Sequence, residues 1–155
     1  MGTNREQELE SWLTRFLGDV QAVAGTIHLH ENGGLRLAAA VNIPPPVRQA
    51  VMWVPSGKGM AGLALERGEA VQTCNLKEDT SGAVKPGARA VDAKAALAMP
   101  VRDQHGSIVA VVGVAFADDR EIEHEELERL RRASESLVED IHHESHEISK
   151  EQRER

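Results

Sequence analysis

The chain has no tyrosine, two tryptophans and two phenylalanines, so aromatics are 3% of its 155 residues. Its core must therefore be assembled from Ala, Val, Leu, Ile and Met. There is one cysteine, Cys74. That excludes an intrachain disulfide and a multi-cysteine zinc site, and it suits a reducing compartment. No apolar run approaches the ~20 residues that cross a bilayer; the longest occupies positions 108–117. The opening MGTNREQELE is charged and lacks the apolar stretch of a signal peptide. No cluster of Lys and Arg offsets the formal net charge of -7, and such a chain repels a phosphate backbone. The expectation is a single cytoplasmic domain over 1–155, with neither nucleic acid nor membrane as a partner.

What is present has the composition of a folded globular protein, 41% hydrophobic and 28% charged. Leu9, Trp12, Leu13, Phe16, Leu17 and Val20 recur at steps of three and four, which predicts an amphipathic helix over about 4–22. A strand over 25–30 is followed by Asn32-Gly33, a pair suited to a tight hairpin, and by a return strand over 35–41. Pro44-Pro45-Pro46 opens a short helix that continues through 47–53. After a break at Pro55-Ser56-Gly57, a second short helix covers 60–67 and is capped by Gly68. A strand over 70–74 precedes a loop-like stretch, 77–91, of the length that often forms a binding loop or lid. Strands over 95–102 and 107–117 follow, joined by Asp103-Gln104-His105-Gly106. The last is apolar almost throughout, the mark of a central strand covered on both faces. A charged helix over 121–152 ends the chain. This order is α+β: a mainly antiparallel sheet of five or six strands, core about 22–120, flanked by helices.

Several local patterns, taken in order, resemble the GAF domain family. They are the first hairpin with Leu35-Arg-Leu-Ala-Ala-Ala-Val41, the glycine-rich Pro55-Ser-Gly57-Lys-Gly59-Met-Ala-Gly62, and Gly68-Glu-Ala-Val71 with Asn75-Leu76. Ala95-Ala-Leu97-Ala-Met-Pro100-Val101, the hairpin from Gly106 to Ala115, and Ile122 with Glu125 to Leu130 complete the series, which covers roughly residues 5 to 140. The resemblance implies a GAF-like, PAS-related sheet with helices on one side and a small ligand pocket on the other. It also implies a module whose relatives bind cyclic nucleotides, bilins, haem, iron or oxo acids, often as dimers that signal through their terminal helices. Against the cyclic-nucleotide pattern, the stretch Ala117-Asp-Asp-Arg-Glu-Ile-Glu-His-Glu-Glu126 lacks the Asn, Lys and Phe that such members carry. Free methionine sulfoxide reductases in the family need several cysteines; with Cys74 alone, a disulfide cycle cannot close within one chain.

Individual motifs carry ordinary readings beside functional ones. Gly57-Lys-Gly59-Met-Ala-Gly62 has dinucleotide-fingerprint spacing, yet Met52-Trp53-Val54-Pro55 is a poor central strand, and Lys58 is followed by Gly59 rather than a hydroxyl. The structural reading, a tight loop with close helix packing, is preferred. Cys74 reads as a small buried hydrophobe at a strand end. His142 and His146 share a helix face at metal-ligand spacing, but two ligands rarely make a site, and no metal is expected. His28 and His30 fall on one face of the first strand, with Ile27 and Leu29 on the other. They are taken as ordinary polar-face residues, with pocket contacts as the alternative.

The final helix places Leu127, Ser134, Ile141 and Ile148 on one heptad seam position and Leu130, Leu137 and Glu144 on the other. Two such helices with two N-terminal helices suggest a four-helix dimer interface; packing on the chain's own domain is the alternative. The function expected from all this is a non-enzymatic small-molecule sensor, a homodimer acting on a separate effector protein, with the ligand unidentified and no cofactor assigned. The ligand-binding residues expected are Trp53, Met60, Asp79, Arg89 and Met99, with apolar contact from Trp53 and the methionines and an anion partner in Arg89. The alternatives are a reductase-like enzyme using Cys74 with an external thiol, and a ligandless dimerisation module.

Overall fold

A type of turn that demands positive φ at two successive residues organises the first half of the sheet. Asn32 and Gly33 sit at φ 47° and 79°, joining β1 (Ala24–Glu31) to β2 (Gly34–Val41) with Glu31 opposite Gly34. Such a turn matches the right-handed twist of the two strands it connects. The chain is described here by a computed structural model over residues 4–74, 93–118 and 120–153. Its remaining elements are α1 (Asn4–Val20), α2 (Pro45–Ala50), β3 (Trp53–Pro55), α3 (Gly59–Arg67), β4 (Val71–Cys74), β5 (Ala95–Arg102), β6 (Ile108–Phe116) and α4 (His124–Arg153). The stretch 77–91 expected to form a loop lies outside the described residues.

The six strands form one sheet in the order β3-β2-β1-β6-β5-β4, each pair antiparallel. The apolar strand β6 lies in the interior of the sheet beside β1, and its residues 110–112 are all buried. Alternation along β1, β5 and β6 divides two apolar layers. Ile27, Leu29, Leu97, Met99, Val101, Val112, Val114 and Phe116 pack with α1 and α4. Ala98 and Val111 turn the other way and pack with Leu35 of β2 and Ala64 of α3.

The terminal helices bury their stripes within this chain. Leu9, Trp12, Leu13, Phe16 and Leu17 of α1 are all buried, as are Leu130, Ser134, Leu137 and Ile141 of α4. Trp12 stacks on Phe16 with centroids 4.9 Å apart, and its indole N–H donates to the Ser136 hydroxyl of α4 at 2.8 Å. The polar residue at the seam, Ser134, satisfies its hydroxyl within the helix by donating to the Arg131 carbonyl at 2.6 Å. The seam as far as Ile141 is therefore the contact surface with the chain's own domain.

Two boundaries differ from the sequence reading. The first short helix ends at Ala50, and Trp53 belongs to an edge strand paired with Gly34–Arg36 of β2. Pro55 is tolerated there because an edge strand has one side without a ladder to supply. The final helix begins at His124, not 121, because Gln72 of β4 grips the preceding chain. Its amide donates to the Ile122 carbonyl at 3.0 Å and its oxygen accepts from the Ile122 N–H at 2.8 Å. Those bonds hold residue 122 outside the helix, with its side chain buried.

Candidate functional site

Small side chains make the site. On the face of the sheet away from α1 and α4, Ala96 and Ala98 of β5 and Gly113 and Ala115 of β6 stand side by side. A Cβ added at Gly113 would come within 2.8 Å of the Thr26 hydroxyl on β1. Above this shallow floor stand α2, β3 and the start of α3. The result is a cleft of about 630 Å³, walled by Ile43, Val47, Ala50, Val51, Trp53, Val54, Met60 and Ala61. That is the size and apolar character of a small-molecule pocket.

The glycine-rich stretch builds one wall of it. Gly57 and Gly59 have φ of 86° and 63°. Gly62 passes so close to the preceding strand that a Cβ there would lie 2.5 Å from the Pro55 carbonyl oxygen. Gly68 closes α3 in the left-handed conformation, its N–H donating to the Ala64 carbonyl at 2.9 Å. The strand before this stretch is a three-residue antiparallel edge strand, so the G-x-G-x-x-G spacing is a packing device and not a dinucleotide fingerprint, which requires a parallel βαβ unit.

The polar groups on the floor are few. His28, on β1, lines the cleft and is 3% exposed. This corrects its reading as an ordinary polar-face residue; the alternation placed it correctly, but α2 covers it. Its Nε2 lies 2.8 Å from the Val51 carbonyl oxygen at the end of α2. A carbonyl can only accept, so Nε2 carries the proton and donates. Burial pushes the His28 pKa below its ordinary 6.5, and the Val51 hydrogen bond opposes this only in part; the ring is neutral at pH 7. His30, on the same side of β1, is exposed, with Nδ1 3.0 Å from the Ile108 carbonyl. Thr26 also lines the cleft, and Lys58 is the one charged side chain among the described lining residues.

Of the expected ligand contacts, Trp53 and Met60 meet at this cleft. Trp53 is 47% exposed at the rim, its ring lying over Gly34. Met99 does not join them. It is buried on the opposite face of the sheet, against the α1–α4 layer, because odd-numbered positions of β5 point there. Asp79 and Arg89 lie outside the described residues. Thr26 is the residue the sequence reading passed over, and His28 the one for which it kept a pocket contact as the alternative.

A second depression, of about 700 Å³, separates α4 from β5 and the turn after α3. Both of its arginines are engaged: Arg102 donates to the Gly68 and Gly106 carbonyls at 2.7 Å each, and Arg131 pairs with Glu128 and Glu135. Among the described residues no group of three or more His, Cys, Asp or Glu is placed to hold a metal ion. The helix of His142 and His146 is described, but their side chains are not. No helix among the described residues is long and apolar enough to cross a membrane.

Comparison with known proteins returns one architecture. The GAF domain from a phosphoenolpyruvate-protein phosphotransferase of Coxiella burnetii superposes with a TM-score of 0.76 at 18% identity, over 94% of this chain and 86% of that one. A type II free methionine-R-sulfoxide reductase from Thermoplasma acidophilum gives 0.71 at 16% identity, over 90% and 93%. The GAF domain/HD domain protein from Geobacter sulfurreducens gives 0.70 at 12%, over 91% and 94%. At such identities the likeness is one of fold. No curated protein matches the chain. A family model, described as GAF domain, matches residues 6–138; with the α+β sheet and its cleft in the expected place, the chain belongs to the GAF domain family.

Proposed function

We propose that this chain is a sensory module that binds a small molecule in the cleft between the sheet and α2–α3 and acts on a separate partner protein. The observation that carries this reading is the apolar cleft itself, floored by Ala96, Ala98, Gly113 and Ala115 with a buried histidine among them. A protein that needed only a scaffold would fill that floor with larger side chains, since each buried methylene left out forfeits about 0.8 kcal/mol. The ligand contacts in this reading are Trp53 and Met60, joined by His28; Asp79 and Arg89 keep their proposed roles.

Binding would shift an existing equilibrium between two packings of the sheet against its helices. The strands offer the route. Thr26 and His28 face the cleft, while their neighbours Ile27 and Leu29 face the layer of α1 and α4. A homodimer fits this scheme with a change of surface. The inner seams of α1 and α4 are consumed within the chain, so pairing would use the helical stretch of α4 beyond Ile141. We place the module in the cytoplasm, in keeping with the single cysteine.

Binding rather than catalysis is favoured by that same cysteine, which ends β4 at the far edge of the sheet from β3. Two solved reductases share the fold, so the alternative has a direct check: if free methionine sulfoxide reduction is detected and Cys74→Ser abolishes it, the enzymatic reading replaces this one. The main test is native mass spectrometry of the purified protein beside its denatured mass, with Ala96→Phe as the control that fills the cleft. A retained small molecule that is lost in Ala96→Phe supports sensing. A molecule retained equally by both places binding elsewhere and sinks the proposal for this cleft.

A further inference from the structure

The cleft has one deeply buried polar ring, and only one of its two nitrogens is used. His28 Nε2 donates to the Val51 carbonyl at 2.8 Å. In the neutral ring that bond settles the other nitrogen too: Nδ1 has a bare lone pair and can only accept. Among the described residues nothing donates to it. The ring nonetheless forms part of the cleft surface. With Nε2 turned toward the end of α2, Nδ1 is the nitrogen left to the occupant of the cleft.

The rest of the lining narrows the chemistry. The walls are aliphatic, with one indole at the rim, and ask for an apolar body. Lys58 is the only charged side chain among the described lining residues, and no described lining residue is acidic. A cation would find no counter-charge in those walls and would face Lys58. Thr26, two residues before His28 on the same strand, adds a hydroxyl that either donates or accepts.

Resting on the sensory reading above, we infer that His28 is a specificity-determining contact whose Nδ1 accepts a hydrogen bond from an N–H or O–H of the ligand. The class of ligand is a compact, chiefly apolar molecule that carries such a donor and no positive charge. The Val51 carbonyl has a defined part in this. By holding the proton on Nε2 it fixes the tautomer, so the site selects a donor and rejects a pure acceptor of the same shape. Rejection is the stronger half, because an acceptor placed against Nδ1 sets two lone pairs face to face.

The test uses the whole chain and a pair of probes that differ in one atom: indole, with its N–H, and benzofuran, with an oxygen in its place. Affinities come from NMR titration or calorimetry on the wild type and on His28→Phe. The wild type is expected to bind indole about tenfold more tightly than benzofuran, the worth of one hydrogen bond. In His28→Phe both still bind and the ratio falls to about one. Equal binding of the two probes by the wild type overturns the role of His28 and leaves the cleft standing as a ligand site. Binding of neither overturns both this inference and the proposal it rests on. A second measurement covers the case in which His28→Phe does not fold. With 15N-labelled histidine in the wild type, the Nδ1 resonance of His28 moves on adding indole and stays still with benzofuran. A resonance that shows the proton on Nδ1, or that ignores indole, overturns the inference by itself.

Discussion

At the scale of the residue, His28 is where sequence and structure part company most usefully. Alternation along β1 places it opposite Ile27 and Leu29, as read from the sequence. The pattern says which way a side chain points and is silent about what lies above it. Here that is the end of α2, 23 residues further along the chain, and it turns a polar-face residue into one that is 3% exposed. A measurable consequence follows from the direction of its pKa. The unfolded chain holds a proton on this ring at pH values where the folded chain does not. Folding stability is therefore fully present above about 6.5, the ordinary value, and is lost as the pH falls from there through the depressed folded pKa. Urea unfolding of the wild type should give a free energy that declines across that window. In His28→Phe the decline should be absent, whatever constant offset the variant carries. Parallel curves for the two proteins would mean the ring does not titrate in this way.

At the scale of the element, long periodic segments were legible and short ones were not. The stripe of α1, and the seam of α4 as far as Ile141, are present as read, because five or six apolar residues at helical spacing leave one amphipathic solution. Trp53 was harder. Three residues of strand carry too little periodicity to be seen, and their conformation depends on Gly34, which admits the indole ring against the β2 backbone. The start of α4 was likewise hidden, since the side chain that holds Ile122 extended is Gln72, on another strand. For α4 the sequence left two partners open, a second copy or the chain's own sheet. The burial of Leu137 within one chain decides for the second as far as Ile141. Leu137→Ala should therefore destabilise the protein by about 2–5 kcal/mol, read from the shift in its denaturation midpoint at unchanged slope. A loss that instead scaled with protein concentration would return the residue to an interface between copies.

At the scale of the whole molecule, the last helix is the longest element. Ile141 is the last residue of α4 with a described, buried side chain, and the helix runs on to Arg153. At 1.5 Å per residue that is roughly 18 Å of additional helix. Removing residues 145–155 should leave the unfolding temperature nearly unchanged and convert the proposed dimer to a monomer in sedimentation velocity. A truncated chain that still sediments as a dimer would move the contact to another surface. The sequence by itself determined the order of the elements other than β3, the hairpin at Asn32-Gly33, the cap at Gly68, the central place of β6 and the family. Each of these is written in neighbouring residues, through backbone conformation or apolar period. Only the tertiary structure decided that Met99 faces the helices while Trp53 and Met60 face the cleft, that small residues on β5 and β6 combine into one floor, and that a backbone carbonyl fixes the tautomer of His28. Those facts depend on which segments distant in the chain come to lie together, and a side chain's chemistry in a protein belongs as much to what covers it as to what it is.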